Sequence, residues 1–78
     1  MLTKIYTSPT CSYCHKSKEL LKAKNVKYTE IDVTKNSKAV KEIVELTGQT
    51  GVPVIVINKE VILGFDKSAI EKALKKAS

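Results

Sequence analysis

Tyr6-Thr7-Ser8-Pro9-Thr10-Cys11-Ser12-Tyr13-Cys14 joins two different periodicities, and its reading decides the fold. On its N-terminal side Leu2-Thr3-Lys4-Ile5-Tyr6 alternates apolar and polar residues of high β-propensity, which predicts a strand. Ser8-Pro9-Thr10 then punctuates the chain. From about Cys11 to Lys24 the pattern changes. Tyr13, Cys14, Ser17, Leu20, Leu21 and the methylene stem of Lys24 recur three and four residues apart, the spacing of one buried helical stripe, and Asn25 ends it. The two cysteines therefore fall directly after a strand, in the first turn of a helix.

Working outward, Val26-Lys27-Tyr28-Thr29-Glu30-Ile31-Asp32-Val33 alternates again. A strand, helix and strand this close together predict a right-handed parallel unit. A second helix follows, capped by Asn36 or Ser37, with Ala39, Val40, Ile43, Val44 and Leu46 or Thr47 on its inner face and Gly48 at its left-handed end. Val54 to Ile57 is β-branched and apolar at every position, as in a central strand covered on both faces. Asn58-Lys59-Glu60 is expected to turn the chain, and Val61-Ile62-Leu63 to pair antiparallel as a hairpin. After Gly64-Phe65, Asp66 or Ser68 caps a last helix, Ser68 standing three residues before Glu71 as in a capping box, with Ile70, Ala73, Leu74 and Ala77 inward. The order β-α-β-α-β-β-α implies an α/β fold, a four-stranded mixed sheet with helices on both faces, over residues 1–78 as one domain.

Composition narrows the function classes. Hydrophobic residues make up 42% and charged residues 28% of the 78, too apolar a balance for an intrinsically disordered segment. Two cysteines do not make a disulfide framework, so the core has to hold unaided. The longest apolar run, Val52 to Ile57, falls far short of the roughly 18 residues that span a bilayer, and Met1-Leu2-Thr3-Lys4 lacks the apolar stretch of a signal peptide. A soluble cytoplasmic protein is the expectation. The net charge of +6 comes from 14 basic residues, all lysine, against eight acidic ones. Base reading leans on the planar arginine fork, and these lysines are dispersed from Lys4 to Lys76, several at helix ends where they favour the dipole. Neither nucleic acid nor membrane is expected as a partner.

Cys11-Ser12-Tyr13-Cys14 is the one unusual chemical feature. At a helix start this spacing brings the two sulfurs within disulfide range, while unpaired backbone N–H groups and the positive end of the dipole favour a thiolate on the first. Cys11 is thus the expected nucleophile. Cys14, one turn deeper on the buried stripe, is the expected resolving thiol that attacks the mixed disulfide and releases product. Cysteines can also serve simply as small buried hydrophobes, but paired placement at a helix start favours redox chemistry. A closed zinc site needs four ligands, and beside Cys11 and Cys14 only His15 is near, about 100° away around the helix. A site shared between two chains, or an iron–sulfur cluster completed by external thiols, stays open. Val52-Pro53 is a second signal. A cis peptide there would turn the Val52 backbone outward beside the cysteines.

Tyr6-Thr7, Cys11-Ser12-Tyr13-Cys14-His15, Leu46-Thr47-Gly48, Val52-Pro53 and Gly64-Phe65-Asp66 stand in the order and at the spacing of their counterparts in glutaredoxins, and the chain resembles that family over essentially its whole length. The resemblance implies the minimal thioredoxin fold, with Pro53 cis beside the cysteines. It implies reduction of protein disulfides and of glutathione mixed disulfides, with glutathione as co-substrate and without metal or tightly bound cofactor. Carried over residue by residue, it makes Cys11 the attacking thiolate, Cys14 the resolving thiol and Tyr13 a wall of the substrate groove. Val52, next to Pro53, would hydrogen-bond the substrate backbone as an added strand does. Phe65 and Asp66 would hold the α-amino and α-carboxylate end of glutathione at the start of the last helix.

Three positions depart from the family pattern. Ser12 replaces a common proline, Ser8 stands where many members carry a lysine that Lys16 or Lys18 would then have to replace, and Glu45 stands where relatives offer an amide or a base toward glutathione. These departures point to a neighbouring alternative, the glutaredoxin-like redoxins that donate electrons to ribonucleotide reductase and are recharged by thioredoxin reductase. Leu63-Gly64-Phe65-Asp66 echoes only part of their Trp-Ser-Gly-Phe-Arg-Pro signature, and the chain has no tryptophan. From another class, a copper-transfer module also carries Cys-x-x-Cys after its first strand, but it runs β-α-β-β-α-β and wants a methionine where Pro9 stands. The expected partners are accordingly glutathione and disulfide-containing proteins, with thioredoxin reductase and ribonucleotide reductase under the alternative, and a monomer is expected.

Overall fold

Residues 3–49 and 51–77 are described by the computed structural model, so the expectations for Leu2 and for the Ala77 side chain lie outside the described residues. β1 (Thr3–Thr7) sends Ile5 to one face of the sheet and Tyr6 to the other, both buried, as the period of two requires. α1 (Ser12–Ala23) follows, with Cys11 as its N-cap and Cys14, Ser17 and Leu21 buried along one stripe. It closes as expected at Asn25, which adopts φ 58°. The Asn25 N–H donates to the Lys22 carbonyl at 3.0 Å and the Val26 N–H to that of Leu21 at 2.9 Å, a Schellman closure. Two residues assigned to the stripe lie off it: Tyr13 is 57% exposed, one residue and so about 100° around the helix from Cys14, and Lys24 reaches out to Glu71.

β2 (Thr29–Asp32) is shorter than the alternation from Val26 suggests. The Val26 amide is already spent on the helix end, so Val26 and Tyr28 pack against the core before the ladder begins. In α2 (Ser37–Thr47) Asn36, not Ser37, is the N-cap, its side chain accepting from the amides of Lys38 and Ala39, and Gly48 closes the helix at φ 74°. Ala39 and Ile43 are buried, and Thr47 continues their i, i+4 stripe with its hydroxyl donating to the Ile43 carbonyl at 2.8 Å. Val44 and Leu46 flank that narrow stripe and are 43% and 48% exposed, which corrects their assignment to the inner face.

β3 (Val54–Ile57) and β4 (Glu60–Leu63) form the antiparallel hairpin. Its turn is Asn58-Lys59 alone, with Asn58 at φ 54°. Glu60, expected in the turn, instead pairs with Ile57. In α3 (Lys67–Ala77) the cap is Asp66, whose carboxylate accepts from the Ala69 amide at 3.1 Å. Ser68 lies inside the helix, and Glu71 meets Lys24 at 2.9 Å, so no capping box forms between them.

The strand order is β2-β1-β3-β4, with β1 parallel to β2 and antiparallel to β3. This is the expected α/β arrangement, a four-stranded mixed sheet with helices on both faces. α1 and α3 cover one face, where Leu21, Ile70 and Ala73 pack on Ile5, Ile55, Ile57 and Ile62. α2 covers the other, where Ala39 and Ile43 pack on Tyr6 and Val54. Each fully buried isoleucine contributes roughly 1.5 to 3 kcal/mol relative to leaving it in water, which lets the core hold without a staple. Among the described residues no helix is long and apolar enough to cross a membrane.

Candidate active site

The site forms where β1 gives way to α1. Cys11, at φ −92° and ψ 110°, is still extended, so its side chain folds back over the first turn of the helix, and its Sγ accepts the Cys14 N–H at 3.3 Å. One orphan donor of the helix start is thus aimed at a sulfur, an arrangement that favours negative charge there. The Cys11 amide donates to the Ser8 carbonyl at 3.2 Å, which fixes the loop. Both cysteines are free thiols, Cys11 partly exposed and Cys14 fully buried. Burial pushes the Cys14 thiol from 9.0 up to about 11; the Cys11 sulfur beside it acts in the same direction, and the Ser8 backbone and the Lys18 ammonium oppose it. The pair therefore has one accessible sulfur with a donor aimed at it and one shielded sulfur that keeps its proton.

The Val52–Pro53 peptide is cis, and the Cys11 thiol donates to the Val52 carbonyl across 3.8 Å. Pro53 is buried, whereas Val52 is half-buried beside the sulfur. From Pro53 the contact passes on. The Gly64 N–H donates to the Pro53 carbonyl at 2.8 Å, which holds the Gly64-Phe65-Asp66 turn next to this strand start. The Phe65 side chain packs against the core, and the Asp66 carboxylate caps α3. Tyr13 projects into solvent on the first turn of α1, with the Lys16 ammonium 5.3 Å from its ring centroid. His15 is exposed.

A family model for glutaredoxin matches residues 3–62. The chain belongs to the glutaredoxin family. Among its relatives, the glutaredoxin-like 8.6 kDa protein in the rubredoxin operon of Clostridium pasteurianum is 43% identical over 75 residues, 96% of this chain and 100% of that protein. Glutaredoxin 3 of Escherichia coli (strain K12) is 40% identical over 62 residues, 80% of this chain and 75% of that one. The structure of the glutaredoxin-like protein NrdH-redoxin from Escherichia coli superposes with a TM-score of 0.82 at 25% identity, covering 92% of this chain and 93% of that one. The fold is the thioredoxin fold in its four-stranded form.

Two departures from the glutaredoxin pattern look different once placed. Glu45 lines a groove with Lys4, Tyr6, Val56 and Asn58, between α2 and the β1–β3 pairing. Of the lysines considered as replacements at Ser8, Lys16 lies over Tyr13, and Lys18 is bound to Glu30 at 2.9 Å while still acting on Cys14. Sequence reasoning missed Glu30, whose Oε2 accepts from the Thr7 hydroxyl at 3.1 Å. The available signal was that Lys18 stands four residues after Cys14, on the same helix face. Among the described residues no group of three or more His, Cys, Asp or Glu could hold a metal ion. The element order also differs from that of a copper-transfer module.

Proposed function

We propose that the chain is a dithiol–disulfide oxidoreductase that reduces protein disulfides and glutathione mixed disulfides, with Cys11 as nucleophile and Cys14 as resolving thiol. The observation that carries this reading is the pair itself: an accessible sulfur receiving a helix-start amide at 3.3 Å, beside a buried thiol held protonated up to about 11. The Cys11 thiolate attacks one sulfur of the substrate disulfide, a Cys11–substrate S–S bond forms, and the other sulfur leaves as a thiolate that takes a proton. Cys14 then gives up its proton and attacks Cys11 Sγ. The Cys11–Cys14 bond forms, the second substrate sulfur leaves, and two electrons have passed from the dithiol to the substrate. Part of what holds Cys14 protonated is the Cys11 sulfur itself, so capture of that sulfur in the mixed disulfide readies Cys14 for the second step.

The half-buried Val52 backbone beside Cys11 supports strand-like docking of the substrate, with Tyr13 as an outer wall. The α3 start, tied to Pro53, supports Phe65 and Asp66 as the place for the amino-acid end of glutathione, which serves as co-substrate rather than resident cofactor. A dithiol that must be kept reduced suits the cytoplasm. A second reading, an electron donor recharged by thioredoxin reductase and serving ribonucleotide reductase, is favoured by the near end-to-end similarity to NrdH-redoxin. One assay separates the two. NADPH consumption is followed with the oxidised protein, once with glutathione and glutathione reductase and once with thioredoxin reductase, and turnover in only one system assigns the donor. Cys11→Ser is expected to abolish turnover in either, whereas Cys14→Ser spares glutathione mixed disulfides and loses protein disulfides. Full activity of Cys11→Ser would overturn the nucleophile assignment.

A further inference from the structure

Three elements, β1, α1 and β2, meet through one carboxylate. Glu30 of β2 accepts a hydrogen bond from the Lys18 ammonium of α1 at 2.9 Å and another from the hydroxyl of Thr7, the last residue of β1, at 3.1 Å. The Lys18 side chain is only 20% exposed, unlike Lys16 and Lys22 of the same helix, which are exposed. Lys18 follows Cys14 by four residues, so the two side chains share one face of α1. Thr7 in turn precedes Ser8, whose carbonyl holds the Cys11 amide, so the clamp and the cysteine loop share a single strand end.

We infer that Lys18, held by the Glu30 carboxylate that Thr7 in turn bonds, is a positioning residue for the second half of the exchange, its fixed ammonium stabilising the Cys14 thiolate as that sulfur attacks Cys11. This rests on the dithiol reading. In that step the Cys14 proton passes to the thiolate released by the first half, the Cys14 electron pair forms the Cys14–Cys11 bond, and the substrate sulfur leaves with the pair of the broken bond. The charged and titratable groups facing Cys14 are Cys11 and Lys18, and those around Lys18 are Glu30 and Tyr28, with Asp32 acting on Glu30. Lys18 is thus the cation acting on a thiol that burial and Cys11 otherwise keep protonated. Its carboxylate partner fixes it in place without occupying the sulfur. The first half of the exchange has no need of it, because Cys11 draws on the helix-start amide.

The test is a single-turnover reaction of the fully reduced protein with one equivalent of dithiobis(nitrobenzoate), whose two coloured thiolates leave one in each half of the exchange. Lys18→Met is expected to leave the first release unchanged and slow the second several-fold, the smaller thiolate fraction of Cys14 being offset only in part by its greater nucleophilicity. Lys18→Arg, which keeps the charge, restores the second release. Equal slowing of both releases, no slowing of the second, or failure of the arginine variant to restore it overturns the inference. If Lys18→Met does not fold, Lys18→Gln, which can still hydrogen-bond Glu30 but carries no charge, decides the same question. Absence of a second release from the unsubstituted protein would instead refute the dithiol reading, so the two failures are distinguishable.

Discussion

Gly64 donates its N–H to the carbonyl of Pro53 at 2.8 Å, and by that bond the turn into α3 is held against the strand start that lies beside Cys11. Gly64 follows Pro53 by eleven residues, and the two flank the open end of the β3–β4 hairpin, so the hairpin itself brings them together. That bond and the hairpin register fix where the start of α3 lies relative to the Val52–Pro53 peptide.

Gly64 adopts φ 72°, and a Cβ built there meets nothing within 4 Å. The cost of Gly64→Ala is then backbone strain alone, about 1 kcal/mol. Urea denaturation is expected to show a loss of this size with an unchanged slope. A loss several times larger would mean that the turn, and with it the Pro53 contact, had rearranged.

Differential alkylation should separate the two thiols. Cys11 is partly exposed and receives an amide, whereas Cys14 has no exposed surface and is pushed up to about 11. Iodoacetamide at neutral pH, followed by peptide mass analysis, is expected to label Cys11 at least roughly tenfold faster, since alkylation requires an accessible thiolate. Comparable labelling of Cys14 would contradict its burial.

Stability of the reduced protein should fall in alkali. Burial, then the Cys11 sulfur, raises Cys14 from 9.0 to about 11; burial, then the hydrogen bond to Glu42, raises Tyr6 from 10.0 to about 12. Between the unfolded and folded values the unfolded chain has released a proton that the folded chain retains, so the contribution is complete below the unfolded value and is lost as pH climbs through the folded one. Denaturation midpoints measured from pH 8 upward are expected to begin falling near 9, and Cys14→Ser is expected to delay the onset toward the Tyr6 range near 10. An identical profile for the variant would remove Cys14 as the cause.

Core and surface should respond very differently to truncation. Ile55 has no exposed surface and sits between β1 and β4 under α1 and α3, so Ile55→Ala is expected to cost about 3 kcal/mol through lost burial and an unfilled cavity. Glu71→Ala breaks the ion pair with Lys24 at 2.9 Å, but both partners are more than a third exposed, and solvent-screened pairs of this kind contribute little to stability. Thermal melts of the two variants check the contrast, and a large loss in Glu71→Ala would mean that the α1–α3 contact depends on more than packing.

The order of elements, the burial of Val54, Ile55 and Ile57 in a central strand, the position of the cysteine pair at a helix start, the end of α1 at Asn25 and the left-handed Gly48 were legible in the sequence, because these depend on local periodicity and on residues with distinctive backbone freedom. Tertiary structure decided what depends on contacts between distant segments. Val26 leaves the ladder because its amide closes α1, Val44 and Leu46 face outward because the stripe of α2 is only wide enough for Ala39, Ile43 and Thr47, and Glu71 turns to Lys24 rather than to a cap. The same holds within the site. Spacing placed Cys14 one turn below Cys11 on the buried stripe, but the meeting of Lys18 and Thr7 on the Glu30 carboxylate arises only when β1, β2 and α1 are packed together, since the strength of a charge depends on where the fold holds it and how much water it excludes.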